Sequence, residues 1–273
     1  MLAFRAMIAN LDPLRAAILG AVQGLTEFLP ISSSAHLYAI PTLLGWPYAG
    51  LAFDVALHWG TLLALLVAFW RDWWNLGADL AGRDADKRRA ALDLFAKLAL
   101  ASVPAAIAGL LIKDLAASQL RSLPLQATML IVFGALLWAV DRFRNKGEAV
   151  KTPGWPTCLA MGFAQVLSLV PGVSRSGITM TAGRMSGLDR VSAARFSFLL
   201  ATPITFGAGL LELRDLPRDL PAATLAIGVT VSAVTGLLAI RGLLLWLGRA
   251  GFGWFFAYRV AFALIILFRL PRA

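Results

Sequence analysis

The sequence predicts an all-α polytopic membrane protein, built as an inverted repeat with about six transmembrane helices and two re-entrant helix-loop-helix hairpins. Three observations predict it. Of the 273 residues, 59% are hydrophobic and only 15% charged, and the mean hydropathy is +0.75, whereas soluble domains carry about 25% charged residues. Apolar runs long enough to span recur along the chain. And two short segments, too polar for the membrane around them, look like copies of one another. The first runs Gly20-x-x-Gln23-x-Leu25 to Pro30-Ile31-Ser32-Ser33-Ser34, the second Gly162-x-x-Gln165-x-Leu167 to Pro171-Gly172-Val173-Ser174-Arg175-Ser176-Gly177. Gly20, Gln23, Leu25, Ser32 and Ser34 recur at a constant offset of 142, as from Ser32 to Ser174. The likeness resumes at an offset of 143 with Phe53/Phe196, Leu57/Leu200 and Arg71-Asp72/Arg214-Asp215.

Element by element, Leu14–Leu29 and Pro156–Val170 are short apolar segments that end near proline. Ser32–Leu44 and Ser174–Leu188 are also short and begin at serine, a favoured N-cap. Each pair reads as a hairpin that enters the membrane partway and returns, a backbone tolerated only where protein or a wet cavity covers it. The full spans are expected at Leu51–Trp74, Ala90–Lys113, Leu123–Val140, Ser192–Leu213, Leu220–Leu247 and Trp254–Leu270. Three spans separate the two copies. Three is odd, so the copies are inverted and their tips meet near the bilayer midplane, where such repeats build binding sites. A single membrane domain over 1–273 follows, with repeat one about 11–141 and repeat two about 155–271.

The net charge of +10 does not indicate nucleic acid, because the Lys and Arg residues sit mainly in short loops between apolar runs. Nine Trp suit interfacial anchoring. One cysteine, Cys158, excludes an intramolecular disulfide and speaks against a cysteine-based metal site. No cleavable signal is expected in Met1–Asn10 and the run after it. Arg83, Lys87, Arg88 and Arg89, with Arg142, Arg144, Lys146 and Lys151, lie on one side. Lys113, Arg121, Arg214 and Arg218 lie on the other. The denser loops favour the cytoplasm, which puts the termini and the entry of the first hairpin outside.

The hairpins carry the candidate chemistry. Gln23 and Glu27 are four apart and share a helical face. Ser33 and His36 are three apart on the next short helix and can also face one way. Ser32 and Ser174 would begin helices whose free N–H groups suit an anion. Arg175, beside Ser174 and Ser176, adds a planar multi-donor cation matched to phosphate. Ser, His and carboxylate together are the minimum for an activated nucleophile. Each residue also has a plainer reading: a helix-start serine is an ordinary cap, Arg175 could pair with Glu27 structurally, and His58 in mid-span reads as a packing donor that could also line the cavity.

At these residues the chain resembles the undecaprenyl-diphosphate phosphatase family of the bacitracin-resistance type. The family's first motif stands as Gln23-Gly-Leu-Thr-Glu27-Phe-Leu-Pro-Ile-Ser-Ser33-Ser-Ala-His36, its second as Pro171-Gly-Val-Ser-Arg175-Ser-Gly-Ile-Thr179. The Phe196-Ser-Phe-Leu-Leu-Ala-Thr-Pro203 stretch and the spacing also match, so the resemblance covers essentially the whole chain. It implies an integral enzyme of the bacterial cytoplasmic membrane, its site open to the periplasmic side. It implies hydrolysis of a C55 isoprenyl diphosphate to the monophosphate, recycling the carrier lipid for cell-wall synthesis. Carried over, Ser33 is the nucleophile and His36 its proton-transfer partner. Glu27 is an acid/base or metal-binding carboxylate. Arg175 is the diphosphate clamp, with Ser32, Ser174, Ser176, Gln23 and Thr179 binding substrate. A divalent cation, Mg or Ca, is implied with the diphosphate, and Glu27 is its candidate ligand. Gln23 stands where the family motif admits Glu or Gln, so a two-carboxylate mechanism needs another second member. Ser34-Ala35 replaces the motif's Thr-Gly. Expected partners are the polyprenyl diphosphate lipid and membrane lipids, with a homodimer one option for self-association and no nucleic acid. The rival reading is a transporter or flippase of polyprenyl phosphate or another anion. It needs a clamp but no nucleophile.

Overall fold

A computed structural model describes residues 12–117, 119–144, 147–212 and 221–269. The expectations for Met1–Asn10, Lys146, Arg214-Asp215 and Arg218 fall outside them. The first hairpin consists of α1 (Pro13–Phe28) and α2 (Ser33–Leu43). Asp12 caps α1 by accepting from the Arg15 backbone N–H at 2.9 Å, and Pro13 occupies the first helical turn, where its missing donor costs nothing. Then follow α3 (Leu51–Ala68), α4 (Trp70–Ala81), α5 (Ala85–Ala117), a 3-10 turn (Gln119–Arg121) and α6 (Leu123–Phe143). The second hairpin is α7 (Trp155–Val166), a 3-10 turn (Leu167–Leu169) and α8 (Arg175–Met185). Finally α9 (Arg190–Glu212), α10 (Ala222–Leu247) and α11 (Gly253–Arg269) close the chain.

Among the described residues five helices, α3, α5, α6, α9 and α10, are long and apolar enough to cross a membrane. The sixth expected span, α11, has 17 residues, which at about 1.5 Å per residue is about 26 Å, the lower end of spanning length. The first expected span is shorter than Leu51–Trp74. Its helix ends at Ala68, and Trp70–Ala81 forms a separate helix with no buried residue. Arg71 and Asp72 cannot continue into hydrocarbon, so α4 leaves Trp70 and Trp74 exposed as interfacial anchors. The second span is longer than expected, because α5 begins at Ala85 among the charges of the loop.

The halves pack by exchange. The first hairpin arm α1 lies on α10, and its counterpart α7 lies on α5. Helix α3 packs on α9, its own counterpart, and α6 on α11. Close approach explains two of the repeated glycines. A Cβ on Gly20 would sit 2.3 Å from the Gly228 carbonyl oxygen, and one on Gly162 would sit 2.3 Å from that of Ala101. Small residues of this kind let membrane helices touch backbone to backbone. The repeated Phe53/Phe196 and Leu57/Leu200 are all fully buried. Phe28, next to Glu27, meets Phe198 edge-on at 5.5 Å and anchors the end of α1 in the core.

Candidate active site

Both hairpin tips turn on a serine with a positive φ, Ser32 at 73° and Ser174 at 74°, the only two non-glycine residues so placed among the described ones. Such a conformation costs about 1–3 kcal/mol and persists only where the surroundings impose it. Here it turns the chain sharply into α2 and α8, so the starts of both helices face one cavity. Ser174 is a true cap, accepting from the Gly177 N–H at 3.2 Å. Ser32 has no capping bond in its own helix. Its hydroxyl accepts instead from the Gly172 N–H of the opposite tip at 3.2 Å. Ser176 returns the contact, donating to the Leu29 carbonyl at 3.1 Å. Gly172, at φ 98°, leaves no room for a side chain, since a Cβ would lie 2.6 Å from the Gln126 carbonyl oxygen.

Glu27 is the hub. Its Oε2 accepts from the Ser33 hydroxyl at 2.5 Å and from the Gln23 amide at 3.1 Å. Its Oε1 accepts from Arg175 Nη2. His58 Nε2 lies 3.5 Å from Oε2, and the other ring nitrogen, Nδ1, is 2.8 Å from the Asp54 carbonyl. Arg175 is held from behind by α9, donating Nη1 to Thr205 Oγ1 at 2.7 Å and to the Ala201 carbonyl at 3.1 Å. Glu27, Ser32, Ser33, Ser34, His58 and Ser168 line a cavity of about 190 Å³ with Ser174, Arg175 and Thr205. A serine that donates to a carboxylate, with a guanidinium paired to that carboxylate at the wall of a small polar chamber, is equipped for attack on a phosphate.

A family model described as "Bacitracin resistance protein BacA" matches residues 16–265. The chain belongs to this family. Similar proteins named undecaprenyl-diphosphatase include that of Desulforudis audaxviator, 44% identical over 260 residues, covering 94% of this chain and 97% of the relative. That of Gemmatimonas aurantiaca is 48% identical over 256 residues, covering 92% and 96%. That of Alcanivorax borkumensis is 45% identical over 267 residues, covering 95% and 100%.

In this member of the bacitracin-resistance family the structure brings Glu27, Ser33, Arg175, Ser32 and Ser174 together as expected from the motifs. It does not bring Ser33 and His36 together. The three-residue spacing leaves both on one broad face of α2, but the His36 ring is turned to α11 and engaged there. Its Nδ1 is 2.8 Å from the Ser32 carbonyl and its Nε2 is 2.8 Å from the Tyr258 hydroxyl. The ring stacks on Phe262 at 4.1 Å. The histidine at the carboxylate is His58, read from the sequence as a packing donor that could also line the cavity, and it does line it. Three residues expected to bind substrate do not line the cavity. Gln23 is fully buried and holds Glu27. Ser176 ties the tips together, and Thr179 bonds to Ser197 at 2.6 Å behind α8. Sequence reasoning missed Thr205 and Ser168, and also Arg259. That buried arginine of α11 donates to the Gly172 and Val173 carbonyls at 2.7 and 2.6 Å and holds the second tip in place. An arginine inside an apolar run is a signal on its own, but nothing local names its partner.

Proposed function

We propose that the chain hydrolyses undecaprenyl diphosphate to undecaprenyl phosphate and inorganic phosphate, with Ser33 as nucleophile and Glu27 as its base. The observation that carries this is the 2.5 Å bond from the Ser33 hydroxyl to Glu27, made beside Arg175. The Ser33 oxygen attacks the terminal phosphorus and its proton passes to Glu27. The bond from that phosphorus to the bridging oxygen breaks, and its electron pair leaves with the lipid monophosphate. Water then cleaves the phosphoserine, and Ser33 recovers a proton. Arg175, released from Glu27 by the incoming charge, takes up the phosphate oxygens, while Ser32 and Ser174 offer hydroxyls from the two strained tips. Transport of polyprenyl phosphate would use the clamp but leaves the serine–carboxylate bond without a purpose.

A divalent cation fits this site only as an ion carried in with the diphosphate. Among the described residues no three His, Cys, Asp or Glu side chains converge, whereas Mg is commonly held by one or two carboxylates plus substrate phosphates. Glu27 would hold it, and the ion would neutralise charge on the phosphates. The repeat division at 11–141 and 155–271 belongs to the same reading, supported by the paired serine φ values. So does placement in the cytoplasmic membrane with the first hairpin entering from the outer face, supported by the basic loops that hold Arg83, Lys87–Arg89, Arg142 and Arg144 on the other side. That activity would return the carrier lipid to cell-wall synthesis and oppose bacitracin.

The test is phosphate release from C15 and C55 isoprenyl diphosphates by purified protein and by Ser33→Ala, with and without chelator. Wild-type release that is abolished in a folded Ser33→Ala supports the reading. Equal release by both would replace the serine with a directly attacking water.

A further inference from the structure

A second cavity, of about 280 Å³, adjoins the first; its wall is largely apolar, with Ser34, Asp54, His58, Arg121 and Ser168 as its polar members. The two share Ser34, His58 and Ser168 in their walls, so His58 stands between them. The second lies toward the membrane face from which the first hairpin enters, walled by the start of α3 and by Arg121 of the 3-10 turn. Its charged group is built rather than loose. The Arg121 guanidinium lies over the Tyr48 ring at 5.5 Å and donates Nη1 to the Tyr48 hydroxyl. Tyr48 in turn donates to Asp54 Oδ2 at 2.5 Å. Burial and the neighbouring Asp54 carboxylate push the Tyr48 phenol well above its usual range, so it keeps its proton and remains a donor. Asp54 is 5% exposed, and its Oδ2 is 3.8 Å from Arg121 Nη1. The reaction derived above uses none of these three residues.

We propose that this chamber is a phosphate subsite on the path between the outer face and Ser33, with Arg121 as its receptor cation. The inference rests on the phosphatase reading. The ligand is a phosphate group, either orthophosphate leaving after hydrolysis or the terminal phosphate of the lipid on arrival. Arg121 is suited to it: among the described residues only its Nη1 donates a hydrogen bond, which leaves the rest of a planar fork that matches phosphate oxygens. Asp54 nearby cancels part of the positive charge. That weakens binding, as a transit site requires if its occupant is to move on. The alternative is a purely structural lock between the start of α3 and the turn before α6. The other half argues against it. At the offset that pairs Phe53 with Phe196, Asp54 corresponds to Ser197 and His58 to Ala201. Those two positions of α9 carry neither a carboxylate nor a histidine, and α9 still packs on α3, so that pairing does not need an acid at this register.

The experiment compares wild type, Arg121→Gln, and Arg121→Gln combined with Asp54→Asn. The double variant removes both charges, so no buried carboxylate is stranded. Three quantities are read on purified full-length protein: inhibition of hydrolysis by inorganic phosphate, KM for a C15 diphosphate, and thermal melting. If free phosphate uses the subsite, inhibition by inorganic phosphate weakens about tenfold in both variants, as loss of a charge-assisted contact implies. If the lipid headgroup uses it, KM rises by a similar factor instead. A double variant with both constants unchanged overturns the proposal, and a fall in melting temperature alone would show the lock. Wild-type protein that releases no phosphate would overturn the phosphatase reading first.

Discussion

Glu27→Gln is the sharpest test of the site. Three neighbours donate to this carboxylate: Ser33 and Gln23 to Oε2, Arg175 to Oε1. A glutamine has the same shape but must turn its NH₂ either toward Arg175, a donor–donor clash, or toward Ser33 and Gln23, where the hydroxyl must then accept and Gln23 must flip its amide. It also cannot accept the Ser33 proton. Loss of a general base costs about 10²–10⁴ in rate, or about 2.7–5.4 kcal/mol of barrier. The fold should lose less. Arg175 forfeits its counter-ion but keeps Thr205 and the Ala201 carbonyl. The destabilisation should therefore fall below the roughly 3–5 kcal/mol typical of a fully stranded buried charge. The assay is kcat for phosphate release from a C15 diphosphate, with thermal melting in the same detergent as the control. Activity within about twofold of wild type, at unchanged metal dependence, would refute both the base role and the metal role. It would leave Glu27 as a structural partner of Arg175.

Arg175→Lys should lower kcat/KM about tenfold, near 1.4 kcal/mol, because a point ammonium cannot hold phosphate, Thr205 and the Ala201 carbonyl in one plane; a near-silent variant would reduce Arg175 to a source of field. His58→Gln should impair phosphate release more than His36→Phe does. The latter keeps the stack on Phe262 and, with two ring hydrogen bonds lost, should cost about 1–2 kcal/mol of stability; the opposite order of activities would return His36 to the chemistry. Gly20→Ala should destabilise by about 1–3 kcal/mol through overpacking against the Gly228 carbonyl, read as a lower melting temperature, and an unchanged one would mean that α1 and α10 separate freely.

Much of this protein was legible in the chain. The apolar runs set the spans because a bilayer demands about 20 apolar residues to cross it. The serine-marked breaks set the hairpins, because polar backbone at that depth must be covered. The odd number of spans between the copies predicts their inversion. The motifs named Ser33, Glu27 and Arg175, and all three line one cavity. What the chain could not show was which residues of distant helices face them. Local spacing put His36 near Ser33, but Tyr258 and Phe262 of α11, more than two hundred residues away, hold its ring by a hydrogen bond and a stack. His58 sits in an apolar run indistinguishable from packing until α3 is laid beside α1. Thr205 and Arg259 likewise take their roles from partners in the opposite half. The positive φ of Ser32 and Ser174 was hidden too, because serine ordinarily avoids it and only the mutual clasp of the two tips holds it there. Sequence pattern determined which segments enter the membrane, since that depends on the solvent each residue prefers. Tertiary packing decided which side chains meet at the centre, since that depends on rotations and crossings that no single segment encodes.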